Sequence, residues 1–223
     1  GMMILLDSQT GVIKSVLLDK GYLTDVRTAI AGSIAAKYLS NLESTKAGII
    51  GAGLQARLQL EALKLVRPID TAFVWSRNST KVEKFVKEIE YLNLKIEICK
   101  SPEELITKSD IVVTTTPSKS PLIKSDWLKK GLHITAMGSD AEEKNELDPN
   151  ILKKCDYYIP DSQSQTAVLG ELHHAIENNI LPSKAKFTEL GDIIIDLSLG
   201  RKNNDDITIC DLTGTGVQDT AIA

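Results

Sequence analysis

No run in this sequence approaches the roughly 18 uninterrupted apolar residues that a membrane-spanning helix requires, and no basic segment followed by an apolar one marks the start as a secretory signal. The chain therefore reads as soluble, with the cytoplasm as the expected compartment. Basic residues are not in excess: 26 Lys and Arg face 30 Asp and Glu, for a formal charge of -4. A nucleic-acid binder needs a clustered basic face to neutralise phosphates, so that class is excluded. Cys99, Cys155 and Cys210 are odd in number, far apart and never in a C-x-x-C pair, as befits unpaired thiols in a reducing compartment. His133 reads as a packed strand residue, and His173 and His174 are sequence neighbours on a helix whose side chains diverge, so no metal site is expected.

What the 223 residues do contain is enough apolar material, 42%, to bury a core without disulfides or metal. Short β-branched runs alternate with longer amphipathic stretches, the pattern of a parallel sheet flanked by helices. Met3 to Leu6 and Val12 to Leu18 read as a hairpin around the turn Asp7 to Gly11. A helix is expected from an N-cap at Thr24 to about Leu42, with Val26, Ile30, Ile34 and Tyr38 on its apolar face. Six strands then follow: Ala47 to Ile50, Thr71 to Trp75, Lys95 to Ile98, Asp110 to Thr114, His133 to Ala136 and Asp156 to Ile159. Helices fill most of the gaps, including one over Ser125 to Lys129. The fold class is α/β, a Rossmann-type doubly wound parallel sheet, and such sheets bind ligands at the carboxyl ends of their strands.

Gly51-Ala52-Gly53-Leu54-Gln55-Ala56 follows the first of these strands and opens a helix. In this G-x-G-x-x-A pattern Gly51 permits the tight turn, Gly53 lets the backbone approach a pyrophosphate, and Ala56 lets helix and strand pack closely. A glycine-rich turn packed on a helix has the same local look, but the strand, the helix and the alternation after it point to a dinucleotide. The second strand ends in Trp75-Ser76-Arg77-Asn78-Ser79 with no carboxylate to bond ribose hydroxyls. Arg77 suits a 2′-phosphate, with Ser76, Asn78 and Ser79 as hydrogen-bond donors, so NADP is the expected cofactor and NAD the alternative. The same residues also suit a solvated loop capping the next helix. Thr115 and Thr116 lie where ribose or nicotinamide would sit, and Met137, Gly138, Ser139 and Asp140 close the fifth strand. A carboxylate at that position can transfer protons, with a pKa that a desolvated site would raise.

Four segments together resemble the ordered signature of the ornithine cyclodeaminase/mu-crystallin family: Thr24 to Ser33 (TDVRTAIAGS), Gly51 to Ala56 (GAGLQA), Ala136 to Leu147 (AMGSDAEEKNEL) and Asp211 to Asp219 (DLTGTGVQD). The resemblance implies hydride transfer between nicotinamide and the α-carbon of an amino acid or cyclic ketimine. It also implies that Arg27 meets the substrate carboxylate beside the cofactor, that Asp140 is the catalytic acid–base and substrate contact, and that Lys144 lies near the cofactor. Leu54 and Gln55 then fall at the pyrophosphate turn, Leu212 at the nicotinamide and Thr213 at the substrate. A homodimer is implied as well. The family carries an N-terminal substrate and dimerisation domain, with an arginine and a lysine that hold the substrate, ahead of the point where this chain starts. The expected organisation is thus a partial substrate domain over 1–45, a dinucleotide domain over 46–200 and a return segment over 201–223. Two other functions stay open: a non-catalytic dinucleotide-binding remnant, and an ornithine cyclodeaminase proper that converts ornithine to proline and ammonia.

Overall fold

The structure, a computed structural model, describes residues 1–223. In chain order the elements are β1 (Met3–Leu6), β2 (Ile13–Leu17), α1 (Tyr22–Leu39), β3 (Lys46–Ile50), α2 (Leu54–Lys64), β4 (Thr71–Trp75), α3 (Ser79–Glu88) and β5 (Lys95–Ile98). They continue with α4 (Pro102–Lys108), β6 (Ile111–Thr114), β7 (Lys119–Ile123), β8 (His133–Ala136), β9 (Asn145–Leu147) and α5 (Ile151–Lys154). The last are β10 (Tyr157–Pro160), α6 (Gln163–Thr166), α7 (Gly170–Glu177), α8 (Leu190–Ile195), β11 (Thr208–Asp211) and α9 (Gly216–Ile222).

Seven strands form one parallel sheet in the order β10-β11-β8-β6-β3-β4-β5. Consecutive residues of its strands point to opposite faces, and both faces are covered: Ile50, Phe73, Val112 and Ile134 belong to one buried cluster, Ile49, Val74, Ile111 and Val113 to another. The doubly wound fold expected from the sequence is the fold observed. Six of its strands are the six read from the sequence; the seventh, β11, inserts between β8 and β10. Only four residues long and preceded by the polar run Asn203-Asn204-Asp205-Asp206, it offers no periodicity to detect, yet Thr208 to Asp211 are all buried. The short parallel pair β7 and β9 was likewise unexpected, and the helix expected over Ser125 to Lys129 is a single 3-10 turn, Ser125–Trp127.

The β1–β2 hairpin is antiparallel as expected, its turn closed by the Asp7 carboxylate, which accepts from the Gln9 and Thr10 N–H groups at 3.0 and 2.8 Å. Helix α1 departs from expectation at its start. Gly21, at φ 96°, precedes it, and Asp19 Oδ2 accepts from the Leu23 N–H at 2.7 Å, so Asp19 rather than Thr24 satisfies the first turn. The buried face of α1 is also not the large-residue stripe: Ala29, Gly32, Ser33 and Ala36 are buried while Ile30 is 40% exposed. The reason is the close approach of α2. A Cβ at Gly32 would lie 2.0 Å from Gln59 Oε1, and Gln59 Nε2 donates to the Thr28 carbonyl at 2.9 Å. Small residues are needed where two helices come this near, so Ile30 and Ile34 instead border an open apolar groove of about 400 Å³ shared with α8 and α9. No helix is long and apolar enough to cross a membrane.

Candidate active site

The strand order reverses between β3 and β6, and the crevice at such a reversal is where a doubly wound sheet receives its ligand. Gly51 leaves β3 at φ 129°, donates its N–H to the Trp75 carbonyl at 2.9 Å and lies against Thr115. Gly53 is its opposite. It is the extended N-cap of α2, offers no capping side chain, and a Cβ there would meet nothing within 4 Å. Gly51 is thus closed on its protein side and Gly53 open on its outer side, with the free N–H groups of α2 behind it. That cradle fits a pyrophosphate. Ala56 is fully buried, as the close helix–strand packing requires. Gln55 is anchored through Nε2 to the Asp25 carbonyl and carboxylate at 3.2 and 3.3 Å.

At the end of β4, Ser76 is half-buried and Arg77, Asn78 and Ser79 are exposed. The Asn78 carboxamide accepts from the Lys81 N–H at 3.0 Å and so caps α3. Its oxygen thus serves the helix, while its NH2 is left as a donor at the exposed end of the strand. Arg77 makes no ion pair. Lys81 is a further unpaired cation that the sequence reading did not single out; with Arg57 and Lys84 it borders a notch of about 380 Å³ beside Ala52, Gly53 and Leu54.

A cleft of about 200 Å³ at the carboxyl ends of β3, β6 and β8 brings together Gln55, Thr115, Thr116, Met137, Gly138, Asp140 and Lys144, seven of the residues expected from the sequence. Thr28, from α1, joins them and was not foreseen. The Asp140 side chain is 55% exposed and forms an ion pair with Lys144 Nζ, four residues on in the same loop. The expected desolvated recess is therefore absent: this carboxylate stands on the rim, already partnered.

Two of the expected hydroxyls are occupied by a set of buried acids behind the cleft. Glu146, wholly buried, accepts from the Thr116 N–H and hydroxyl at 2.7 Å each, from Gly138 N–H at 2.8 Å and from the Thr114 hydroxyl at 2.5 Å. It ties the loop after β6 to the loop after β8. Glu171 accepts from Ser139 Oγ, Asn145 Nδ2, and the Glu146 and Leu147 N–H groups. Thr116 and Ser139 thus turn their hydroxyls inward, and Ser139 is 1% exposed, so its side chain is withdrawn from any ligand. Burial raises the Glu146 carboxyl, and burial with the neighbouring Asp211 charge pushes Glu171 up to about 8. Burial likewise lifts Asp211 to about 7, against the hydrogen bond it accepts from Tyr158 Oη at 2.6 Å. None of these acids was marked in the sequence, where Glu146 and Glu171 look like solvated charges.

Arg27 and Thr213 lie outside this cleft. Arg27 Nε is 3.0 Å from Asp219 Oδ1 and its Nη1 donates to Gln218 Oε1 at 3.3 Å, which anchors it to α9 beside the apolar groove. Thr213 Oγ1 donates to Asp161 at 3.2 Å. Leu212, 3% exposed, contributes through packing and its backbone, donating its N–H to Ala136 at 3.0 Å.

His133 is buried between Thr208 and Thr135, 2.9 and 3.0 Å from its two ring nitrogens, as a packed strand residue should be. The expectation that His173 and His174 diverge needs correction: their rings meet edge to face at 5.1 Å, and with Glu177 they place ligand-type atoms within 4.8 Å of one another. His174 Nε2, however, is committed to the Lys144 carbonyl at 2.7 Å. Cys99, Cys155 and Cys210 are free thiols.

Comparison with known proteins agrees with this geometry. The profile of the ornithine cyclodeaminase/mu-crystallin family matches residues 1–223. An uncharacterized cyclodeaminase of Sinorhizobium fredii, y4tK, is 54% identical over 224 residues, covering 100% of this chain and 68% of that protein. An archaeal alanine dehydrogenase dimer with bound NAD superposes with a TM-score of 0.92 at 37% identity, covering 99% of this chain and 68% of the other. The Δ1-pyrroline-2-carboxylate reductase of Thermococcus litoralis, in complex with NADH and L-proline, gives a TM-score of 0.93 at 30% identity over 99% and 68% of the two chains.

Proposed function

The chain belongs to the ornithine cyclodeaminase/mu-crystallin family, and from that premise we propose that it is an NAD(P)-dependent enzyme that reduces cyclic imino acids or oxidises the corresponding amino acids. The observation that carries this reading is the convergence of Gln55, Thr115, Met137, Gly138, Asp140 and Lys144 on one cleft beside an open Gly53 cradle. A bound nicotinamide supplies or takes the hydride at the substrate α-carbon. In reduction Asp140 takes up a proton from water and passes it to the imine nitrogen, returning to the carboxylate that Lys144 holds at the rim. Arg27, held by Asp219 and Gln218, keeps Nη2 free for the substrate carboxylate.

We read the cofactor preference as NADP. Its support is the absence of a carboxylate after β4 together with two unpaired cations there, Arg77 and Lys81. We also read 1–45 as part of a substrate and dimerisation unit, and the chain as a homodimer in the cytoplasm, in keeping with the dimeric alanine dehydrogenase.

The test is loss of reduced-nicotinamide absorbance when the protein is given NADPH and Δ1-pyrroline-2-carboxylate. Turnover to proline is expected, with Asp140→Asn lowering kcat by about a hundredfold and leaving NADPH affinity intact. NADPH binding with no turnover on any imino or amino acid would instead identify a binding remnant. Proline made from ornithine with no net cofactor consumption would identify a cyclodeaminase.

A further inference from the structure

Residues 140–144, which carry the Asp140–Lys144 ion pair, have little to order them locally. Among their N–H groups only that of Lys144 makes a backbone hydrogen bond, to Ala141 at 3.0 Å. Asp140, Glu142 and Glu143 are exposed. Yet both ends of the segment are clamped, and by one side chain. Glu171 Oε1 accepts from Ser139 Oγ, immediately before Asp140, and from the Glu146 N–H at 2.9 Å. Its Oε2 accepts from Asn145 Nδ2 at 2.7 Å and the Leu147 N–H at 3.1 Å.

The same helix supplies a third hold. His174 lies three residues beyond Glu171 on α7, hence on the same face, and its Nε2 is 2.7 Å from the Lys144 carbonyl. A carbonyl only accepts, so Nε2 carries the proton and donates. Helix α7 is itself fixed from the sheet. Asp211, at the end of β11, accepts the Glu171 and Leu172 N–H groups at 2.9 and 3.3 Å, and the Gly170 N–H donates to the Ser139 carbonyl at 2.9 Å. Gly170 sits at φ 65° with a would-be Cβ 2.9 Å from Asp211 Oδ2, so only glycine allows the helix to begin this close.

We propose that Glu171 and His174 are positioning residues for the Asp140–Lys144 ion pair: α7 sets where that pair stands in the cleft without itself touching substrate or cofactor. The proposal rests on the reading that Asp140 handles the substrate proton. A carboxylate buried at a cost in desolvation, where an apolar side chain would pack more cheaply, is explained by the four donors that converge on it from the loop's two ends.

The test uses the whole chain with His174→Ala, His174→Gln and Glu171→Gln, read by hydrogen exchange of amides 140–147, by NADPH affinity, and by kcat and KM on the cyclic imine. Glu171→Gln turns an NH2 toward groups that are themselves donors and can fail to fold; His174→Ala is the gentler variant. In it, amides 140–145 exchange faster, kcat falls about three- to tenfold, the worth of one hydrogen bond, and NADPH affinity and KM change less than about twofold. His174→Gln, which restores an N–H donor, recovers both exchange and kcat. Unchanged exchange and kcat in His174→Ala would overturn the proposal, as would a loss that spreads to NADPH binding and is not recovered by glutamine. Should the wild-type chain turn nothing over, the functional reading fails by itself, and the exchange of residues 140–145 alone decides whether α7 positions them.

Discussion

A Cβ on Gly51 would stand 2.4 Å from Thr115 Oγ1, whereas one on Gly53, two residues away, would meet no atom within 4 Å. The two glycines of one turn therefore serve different partners, one the protein and the other the ligand. Gly51 at φ 129° also lies in a region that L side chains rarely adopt. Gly51→Ala is expected to destabilise the chain by about 1–3 kcal/mol and to weaken dinucleotide binding, because the turn must shift. Gly53→Ala should melt within a degree or two of wild type and still lose most of its NADPH affinity, since its methyl group enters the space left for the pyrophosphate. Thermal melts paired with nicotinamide fluorescence titrations separate the two; a Gly53→Ala protein that binds like wild type would place the pyrophosphate elsewhere.

Arg77 and Lys81 flank the Asn78 cap on the same exposed turn, and neither has an acidic partner. If they read a 2′-phosphate, Arg77→Ala should lower NADPH affinity about ten- to a hundredfold, the loss of a charge-assisted hydrogen bond, and leave NADH affinity unchanged. Lys81→Met should act in the same direction and more weakly. Equal losses for both nucleotides would mean that Arg77 packs on the adenine instead, and the NADP preference would have to be given up.

The dinucleotide half of this site was open to sequence reading because its requirements are local. A strand, two glycines at fixed spacing and a helix announce the cradle at Gly51 to Ala56, and the strands ending at Trp75, Ile98 and Ala136 were bounded as observed. What sequence could not show depends on residues distant along the chain. Glu146 and Glu171 look like surface charges until α7 is placed behind β9, and β11 is too short and too polar in its surroundings to be seen before its place between β8 and β10 is known. The N-cap of α1 was missed for a related reason. Thr24 is a good capping residue, but the positive φ of Gly21 lets Asp19 reach the first turn sooner. The partners of the hydroxyls were the least legible: Thr116 and Ser139 bond to the buried Glu146 and Glu171, and Thr213 to the half-buried Asp161, none of which a spacing rule connects to them.

Those acids give the stability a pH dependence of unusual sign. Glu171 has its folded-state pKa raised to about 8 and Asp211 to about 7, both through burial, while in the unfolded chain each ionises near its ordinary value of about 4. Between those limits the folded protein binds more protons than the unfolded one, so stability falls as pH rises. His133 opposes this at lower pH. Burial depresses it from 6.5 to about 3, so the unfolded chain takes up the extra proton and stability rises until about pH 6.5. Above that its contribution is complete, and up to about pH 8 the three thiols, which burial holds above their ordinary range in the folded chain, add only a small loss of the same sign as they begin to ionise in the unfolded one. From pH 7 to 8, then, Glu171 is the main group to titrate, with the tail of Asp211 beneath it. Over that window we expect a loss of about 1 kcal/mol, seen as a fall in melting temperature of about 2–4 °C. Glu171→Gln should flatten the slope whatever it does to the absolute melting point. A melting temperature that climbs from pH 7 to 8 in the wild-type protein would show that Glu171 is ionised throughout, its four donors outweighing its burial.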